Sequence, residues 1–275
     1  MSVYQPIIRS RSLGVSVRNF PDDWHYRLAA QDLPGKEVVF VFGRNTDVGT
    51  GTFEPISNAG LYWTPQANAG DTLYVQSSSA DDTAAGTGAR EVTIVGINAS
   101  GALVTDTLAT NGTSASSATS NTYIRLLKAY VSKSGTYGTQ LAGSHAGLIS
   151  IRQTTGATTR GQIEATGFPR SSTQIGVYTI PSGKKGFLEY LDINVDSNKT
   201  ANLALFKRGN ILQTAAPYDA IEVLAEFPGV AGSAQFSPSS PINGLTGPCD
   251  VGFMGIGLTN AAEISVSFEL ITVDA

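Results

Sequence analysis

The sequence predicts an all-β protein: two β-sandwich, jelly-roll-like domains preceded by an extended N-terminal arm. Three observations carry this expectation. Apolar residues recur with a period of two in several segments. Turn-forming Gly, Pro, Asn and Asp return about every ten residues, the rhythm of a sandwich or barrel. Charged residues are only 15% of the 275, with Ser, Thr, Gly, Asn and Ala standing in for them. Long helices normally carry Lys, Glu and Arg on their wet face, so such a composition argues against them. No segment keeps a helical period beyond about three turns.

In chain order, residues 1–36 form the arm. Val15 and Val17 fit a short strand, and Pro21-Asp-Asp-Trp-His-Tyr-Arg27 is a helix-start pattern, closed by the turn signal Pro34-Gly35. This piece holds too little apolar surface to fold alone, so it must lie on something else. Its cluster of Arg9, Arg11 and Arg18 is either a solvated arm or one that docks on an acidic neighbour.

Residues 37–168 are the expected first sandwich. Val38-Val39-Phe40-Val41-Phe42 is a buried-strand run closed by Gly43, and Leu73-Tyr-Val-Gln76 is a short strand before a Ser/Asp/Gly cluster. Glu91 to Ile97 and Ala102 to Leu108 flank Asn98-Ala-Ser-Gly101 and read as a β-hairpin with a four-residue loop. Tyr123-Ile-Arg-Leu-Leu-Lys-Ala-Tyr-Val131 and Gly147-Leu-Ile-Ser-Ile-Arg152 add two strands.

Residues 169–275 are the expected second sandwich, with a boundary near Phe168-Pro-Arg-Ser-Ser172. Leu191, Ile193 and Val195 share one face, and Leu203 and Leu205 alternate with Asn202 and Ala204. The last strand alternates most cleanly: Ile264, Val266, Phe268 and Leu270 point one way, Ser265, Ser267 and Glu269 the other.

Several function classes find little support. The net charge of −4 gives no basic field for a phosphate backbone, so no direct nucleic-acid binding is expected. One cysteine, Cys249, excludes an intrachain disulfide. No cofactor or metal site is expected, since two His and one Cys cannot build a Cys- or His-rich zinc site. No apolar run is long enough for a membrane helix, and Met1-Ser-Val-Tyr-Gln-Pro6 lacks the pattern of a signal peptide. No enzyme is expected. His25 and His145 are the only candidate general bases, and neither stands near a Gly-x-Ser-x-Gly elbow.

Gly86-Thr-Gly88 suggests a phosphate loop but lacks the Gly-Lys-Ser/Thr ending and precedes a strand. Asp81 and Asp82 either hold a Ca²⁺ or brace a turn by bonding its backbone; two adjacent carboxylates do not easily face one ion, which favours the turn. Trp24 and Trp63 are too few for a sugar-stacking platform, and no paired carboxylates with flanking aromatics mark a glycosidase.

Some segments do resemble a known family. Phe42-Gly-Arg-Asn-Thr-Asp-Val48 and Glu54-Pro-Ile-Ser-Asn-Ala-Gly-Leu-Tyr62 are similar to a pattern of tailed-bacteriophage virion proteins, including those of marine and cyanobacterial phages. Ser57 stands where those proteins usually carry an aromatic. The stretch from Ser78 through Asp81-Asp-Thr-Ala-Ala-Gly-Thr-Gly-Ala-Arg90 to Ile97 is the most specific part. Leu108-Ala-Thr-Asn-Gly-Thr113 and Tyr178-Thr-Ile-Pro-Ser-Gly-Lys-Lys-Gly-Phe-Leu188 resemble further elements of the same family. The resemblance implies a virion component that brings no catalytic residues. The expected role is a capsid decoration or cement protein, a trimer or other homo-oligomer bound to the major capsid protein or other virion proteins. A tail, neck or fibre component with a host-glycan surface is the alternative. The expected interface is the arm, with Arg9, Arg11, Arg18, Trp24 and Tyr26 as its contacts.

Overall fold

The computed structural model describes residues 24–64, 70–136, 144–165, 171–237 and 242–275. They hold one α-helix, α1 (Trp24–Ala29), and sixteen β-strands. The fold is all-β, as the two-residue periodicity requires. The strand expected through Val15 and Val17 lies outside the described residues.

Two facing antiparallel sheets form an outer sandwich. The first has the order β1 (Lys36–Val48), β16 (Ala262–Asp274), β10 (Lys184–Val195); the far edge of β10 is shared end to end by β13 (Gly232–Phe236) and β14 (Ile242–Thr246). The second has the order β12 (Glu222–Val230), β11 (Ala201–Arg208), β15 (Cys249–Gly257); β9 (Val177–Ile180) and the short β2 (Glu54–Pro55) share the far edge of β15. Alternation puts Val41, Val266, Phe268, Leu191 and Ile193 on the inner face of the first sheet. They meet Leu203, Leu205 and Phe253 of the second in one core.

The inner sandwich pairs two three-stranded sheets. One is β3 (Leu73–Ser77), β7 (Ile149–Gln153), β8 (Thr159–Ile163); the other is β5 (Leu103–Ala109), β4 (Ala89–Ile97), β6 (Arg125–Ser134). Leu73, Val75, Ile149 and Ile151 face Val92, Ile94 and Ala129. The β4–β5 hairpin stands where the sequence puts it. Its loop closes through Asn98 N–H to the Ala102 carbonyl, 3.0 Å, and Gly101 takes the left-handed φ of 79° that the tight turn needs.

The strand pairing moves one boundary. Val38 to Phe42, assigned from sequence to the first sandwich at 37–168, pairs with Ile271 to Ser267 of the last strand. Residues 36–57 therefore complete the sheets of the C-terminal half, and the inner sandwich is an insertion between β2 and β9. The run expected as a buried strand is an edge strand paired with a strand at the far end of the chain, and only Val41 of Val38 to Phe42 is buried; local periodicity does not encode that partnership. The outgoing and returning segments are stitched together at the neck: Asn58 N–H bonds the Gln174 carbonyl and Gly176 N–H the Ile56 carbonyl, both 2.9 Å.

Candidate interaction surface

The outer face of the β1–β16–β10 sheet is the most distinctive surface. Period two sends Val39 and Val41 inward, so Phe40 and Phe42 must point out. Phe40 is 78% exposed and Phe42 39%. Phe40 stands beside Glu269, which stands beside Tyr190; Phe42 stands beside Ser267, which stands beside Asp192. Arg44 ends the stripe and is held by Glu263 at 2.7 Å. Among the described residues Glu269 and Asp192 enter no ion pair. The face is thus a two-phenylalanine stripe along an edge strand, backed by small hydroxyls and two carboxylates that form no ion pair among the described residues.

At the start of β1 the same face is covered. Val38 stands beside Ile271, which is 3% exposed, and α1 packs against β1 with Leu28 buried. The helix follows the sequence signal after Pro21, and Arg27 sits in its last turn, the end of a helix that favours a cation. Of the five arm residues singled out from sequence, Tyr26 lies on α1 and is 78% exposed. Trp24 opens the helix, but its side chain, like Arg9, Arg11 and Arg18, lies outside what the structure describes.

Behind this face the two sandwiches are locked by a buried polar cluster that the sequence did not flag. Arg125 on β6 is 3% exposed, and its Nε donates to Asp250 Oδ2 of β15 at 2.9 Å. Thr179 Oγ1 donates to Asp250 Oδ1 at 2.6 Å, and the Tyr62 hydroxyl donates to Oδ2. Burial, then the Asp250 charge, pushes the Tyr62 hydroxyl well above its ordinary range. Arg160 stacks over Trp63, 4.9 Å from the ring centroid, beside a cavity of about 10 Å³, one water's worth of space. An arginine within an otherwise apolar run from Tyr123 to Leu127 was the available signal: a charge on a buried strand demands a partner.

Two further sequence candidates, Asp82 and His145, take structural roles; the His25 side chain lies outside what the structure describes. Asp82 is fully buried and accepts from Ser77 Oγ at 2.5 Å and from the backbone N–H groups of Ala89, Ala146 and Gly147 at 2.7, 2.8 and 2.9 Å. It braces the turn, and the stretch from Ser78 to Ile97 that carries the family resemblance folds around it. His145 is 6% exposed with Nε2 on the Glu164 carbonyl at 2.8 Å and Nδ1 on Ser144 Oγ at 2.6 Å, a packing residue. Among the described residues no three His, Cys, Asp or Glu stand close enough to hold a metal, and no helix is long and apolar enough to cross a membrane.

No family model and no curated protein matches the chain. Among solved structures it is similar to that of infectious bursal disease virus strain Gx (10% identity, 87% of this chain and 71% of that one, TM-score 0.24). It is also similar to strain Gt (12%, 92% and 78%, TM-score 0.22) and to the VP2 subviral particle of the same virus (10%, 88% and 77%, TM-score 0.19). At scores this low the likeness carries no argument.

Proposed function

We propose that this chain is a virion structural protein of a tailed bacteriophage, a capsid decoration or cement component that works by burying surface against its neighbours rather than by turnover. The observation that carries the reading is the Phe40–Phe42 stripe: two outward phenylalanines on a sheet face made otherwise of hydroxyls and a few carboxylates. A monomer gains nothing from aromatics in water on an edge strand, whereas a covered face gains roughly 25 cal/mol for each Å² of apolar surface removed from water. The sequence resemblance supports the same reading, and so does the scarcity of charge, since Ser and Thr desolvate at lower cost than unpaired Lys or Glu. The partners are the major capsid protein and further copies of the chain, with a trimer as the proposed assembly. The arm, from Arg9 to Tyr26, supplies the anchoring contacts.

Immunogold labelling of intact particles tests this. Label over the head supports a decoration protein. Label confined to the tail replaces it with a tail, neck or fibre component, and no label on particles ends the virion reading.

A further inference from the structure

We propose that the pocket beside Arg208, where the two sandwiches meet, binds a carboxylate-bearing ligand. The inference stands apart from the reading above. The pocket is lined by Arg125 of β6 in the inner sandwich, by Arg208 at the end of β11 in the outer one, and by Asn210, Gln213, Tyr218 and Asp219 of the segment that follows. Arg208 stands opposite Asp250 in the β11–β15 ladder. That carboxylate is already occupied by Arg125, Thr179 and Tyr62. Among the described residues Arg208 makes no side-chain hydrogen bond and no ion pair, and its Nε is buried without an acceptor. Arg125 spends Nε on Asp250 and Nη1 on the Ile124 carbonyl, and its Nη2 has no acceptor among the described residues.

A buried guanidinium nitrogen without an acceptor marks a missing partner, because such groups in native structures are almost always bonded. The other polar walls can donate too. Gln213 Oε1 accepts the Asp219 N–H at 3.2 Å, which leaves its NH2 to donate, and the Tyr218 hydroxyl and Asn210 amide make no bond among the described residues. Arg125 and Asp250 cancel in charge, so Arg208 leaves one surplus positive charge in the wall. One negative charge balances it. A doubly charged phosphate would not be balanced, and Asp219, exposed in the same wall, repels a second negative charge. The cavity of about 20 Å³ holds roughly two water-sized groups, the size of the two oxygens of a carboxylate. The fork of a guanidinium matches that pair.

Titration of the full-length protein with sodium acetate, at ionic strength held constant with chloride, tests the site. The NMR resonance of the Arg208 Nε–H, identified by its loss in Arg208→Gln, is expected to shift saturably, with matching heat in calorimetry. Arg208→Gln is expected to weaken acetate binding at least roughly tenfold, the worth of a charge-assisted hydrogen bond. Arg208→Lys, which keeps the charge and loses the fork, is expected to weaken it as well and serves if the glutamine variant misfolds. Lys133→Gln, the same loss of charge at an exposed position of β6, is expected to change nothing. Asp219→Asn is expected to tighten binding. No saturable response in the native protein overturns the proposal, as does a response that survives both Arg208 variants. Binding seen only in Asp219→Asn overturns it too, since Asp219 then serves as the acceptor itself. Particle labelling tests the virion assignment separately.

Discussion

Arg125 and Asp250, separated by 125 positions in the chain, form a fully buried ion pair with Nε 2.9 Å from Oδ2, and this pair joins the inserted sandwich to the outer one. The carboxylate is saturated: Thr179 and Tyr62 donate to it as well. Desolvating both charges costs nearly what their attraction returns, so the pair specifies how the sandwiches dock more than it adds stability.

Removing one partner therefore has a larger effect than removing both. Asp250→Asn leaves the Arg125 guanidinium buried beside a neutral amide, and Arg125→Leu leaves the carboxylate uncompensated; each is expected to cost about 3–5 kcal/mol. The double variant Arg125→Leu/Asp250→Leu is expected to recover most of that. A residue of about 1–2 kcal/mol remains, because Thr179 and Tyr62 lose their acceptor. Urea unfolding of the three variants measures this, and a double variant as unstable as the singles would contradict it.

The sequence makes β16 and the β4–β5 hairpin readable, because both are local patterns: Ile264, Val266, Phe268 and Leu270 are all at most 1% exposed, and the turn chemistry at Asn98 to Gly101 fixes the hairpin. It makes Val38 to Phe42 readable as a strand but not as a partner of Ile271 to Ser267, since antiparallel closure between chain ends leaves no local mark. The outward turn of Phe40 follows the same period. It was hidden because an unbroken apolar run resembles a strand buried on both faces. Arg125 and Asp250 are each ordinary alone, and only the fold brings them together.

Asp82 is expected to be as sensitive as a core residue. Its four donors include three backbone N–H groups from two separate segments, the start of β4 at 89 and the loop at 146–147. Asp82→Ala leaves those groups unpaired in the interior, at a cost of about 3–5 kcal/mol. Differential scanning calorimetry should show a lowered transition. Adding Ca²⁺ to the native protein should leave its transition unmoved, because the carboxylate oxygens are already spent on donors.

Asp106 supplies a pH dependence. Burial tends to raise its carboxyl, but donors from Ser120, Tyr123 and Asn121 outweigh that and hold it at about 2, against 3.8 for the free group. A depressed acid stabilises the fold above its unfolded value and loses that contribution as pH falls from near 3.8 through about 2. The site is partly open to solvent, so the screened contribution is about 1 kcal/mol. NMR titration of the carboxyl carbon should place the midpoint near 2, and Asn121→Ala should move it upward by removing the donor at 2.9 Å.

Gly43 gives the sharpest steric prediction. A Cβ built on it would lie 2.2 Å from the Gly176 Cα and 2.3 Å from the Ile56 carbonyl oxygen, all backbone with no side chain to swing aside. Here β1 crosses the neck at which the chain leaves for the inner sandwich and returns from it, and the Ile56 carbonyl is already the acceptor of Gly176 N–H. Gly43→Ala must therefore push β1 off the neck or break that bond. The expected cost exceeds about 4 kcal/mol, enough to abolish soluble expression of a marginally stable domain. Gly51→Ala is the control, since nothing lies within 4 Å of its Cβ and its φ is not in the left-handed region. It should match the native melting temperature or exceed it slightly through lower unfolded-state entropy. Equal melting temperatures for Gly43→Ala and Gly51→Ala would mean that the neck is looser than the contact at Gly176 requires.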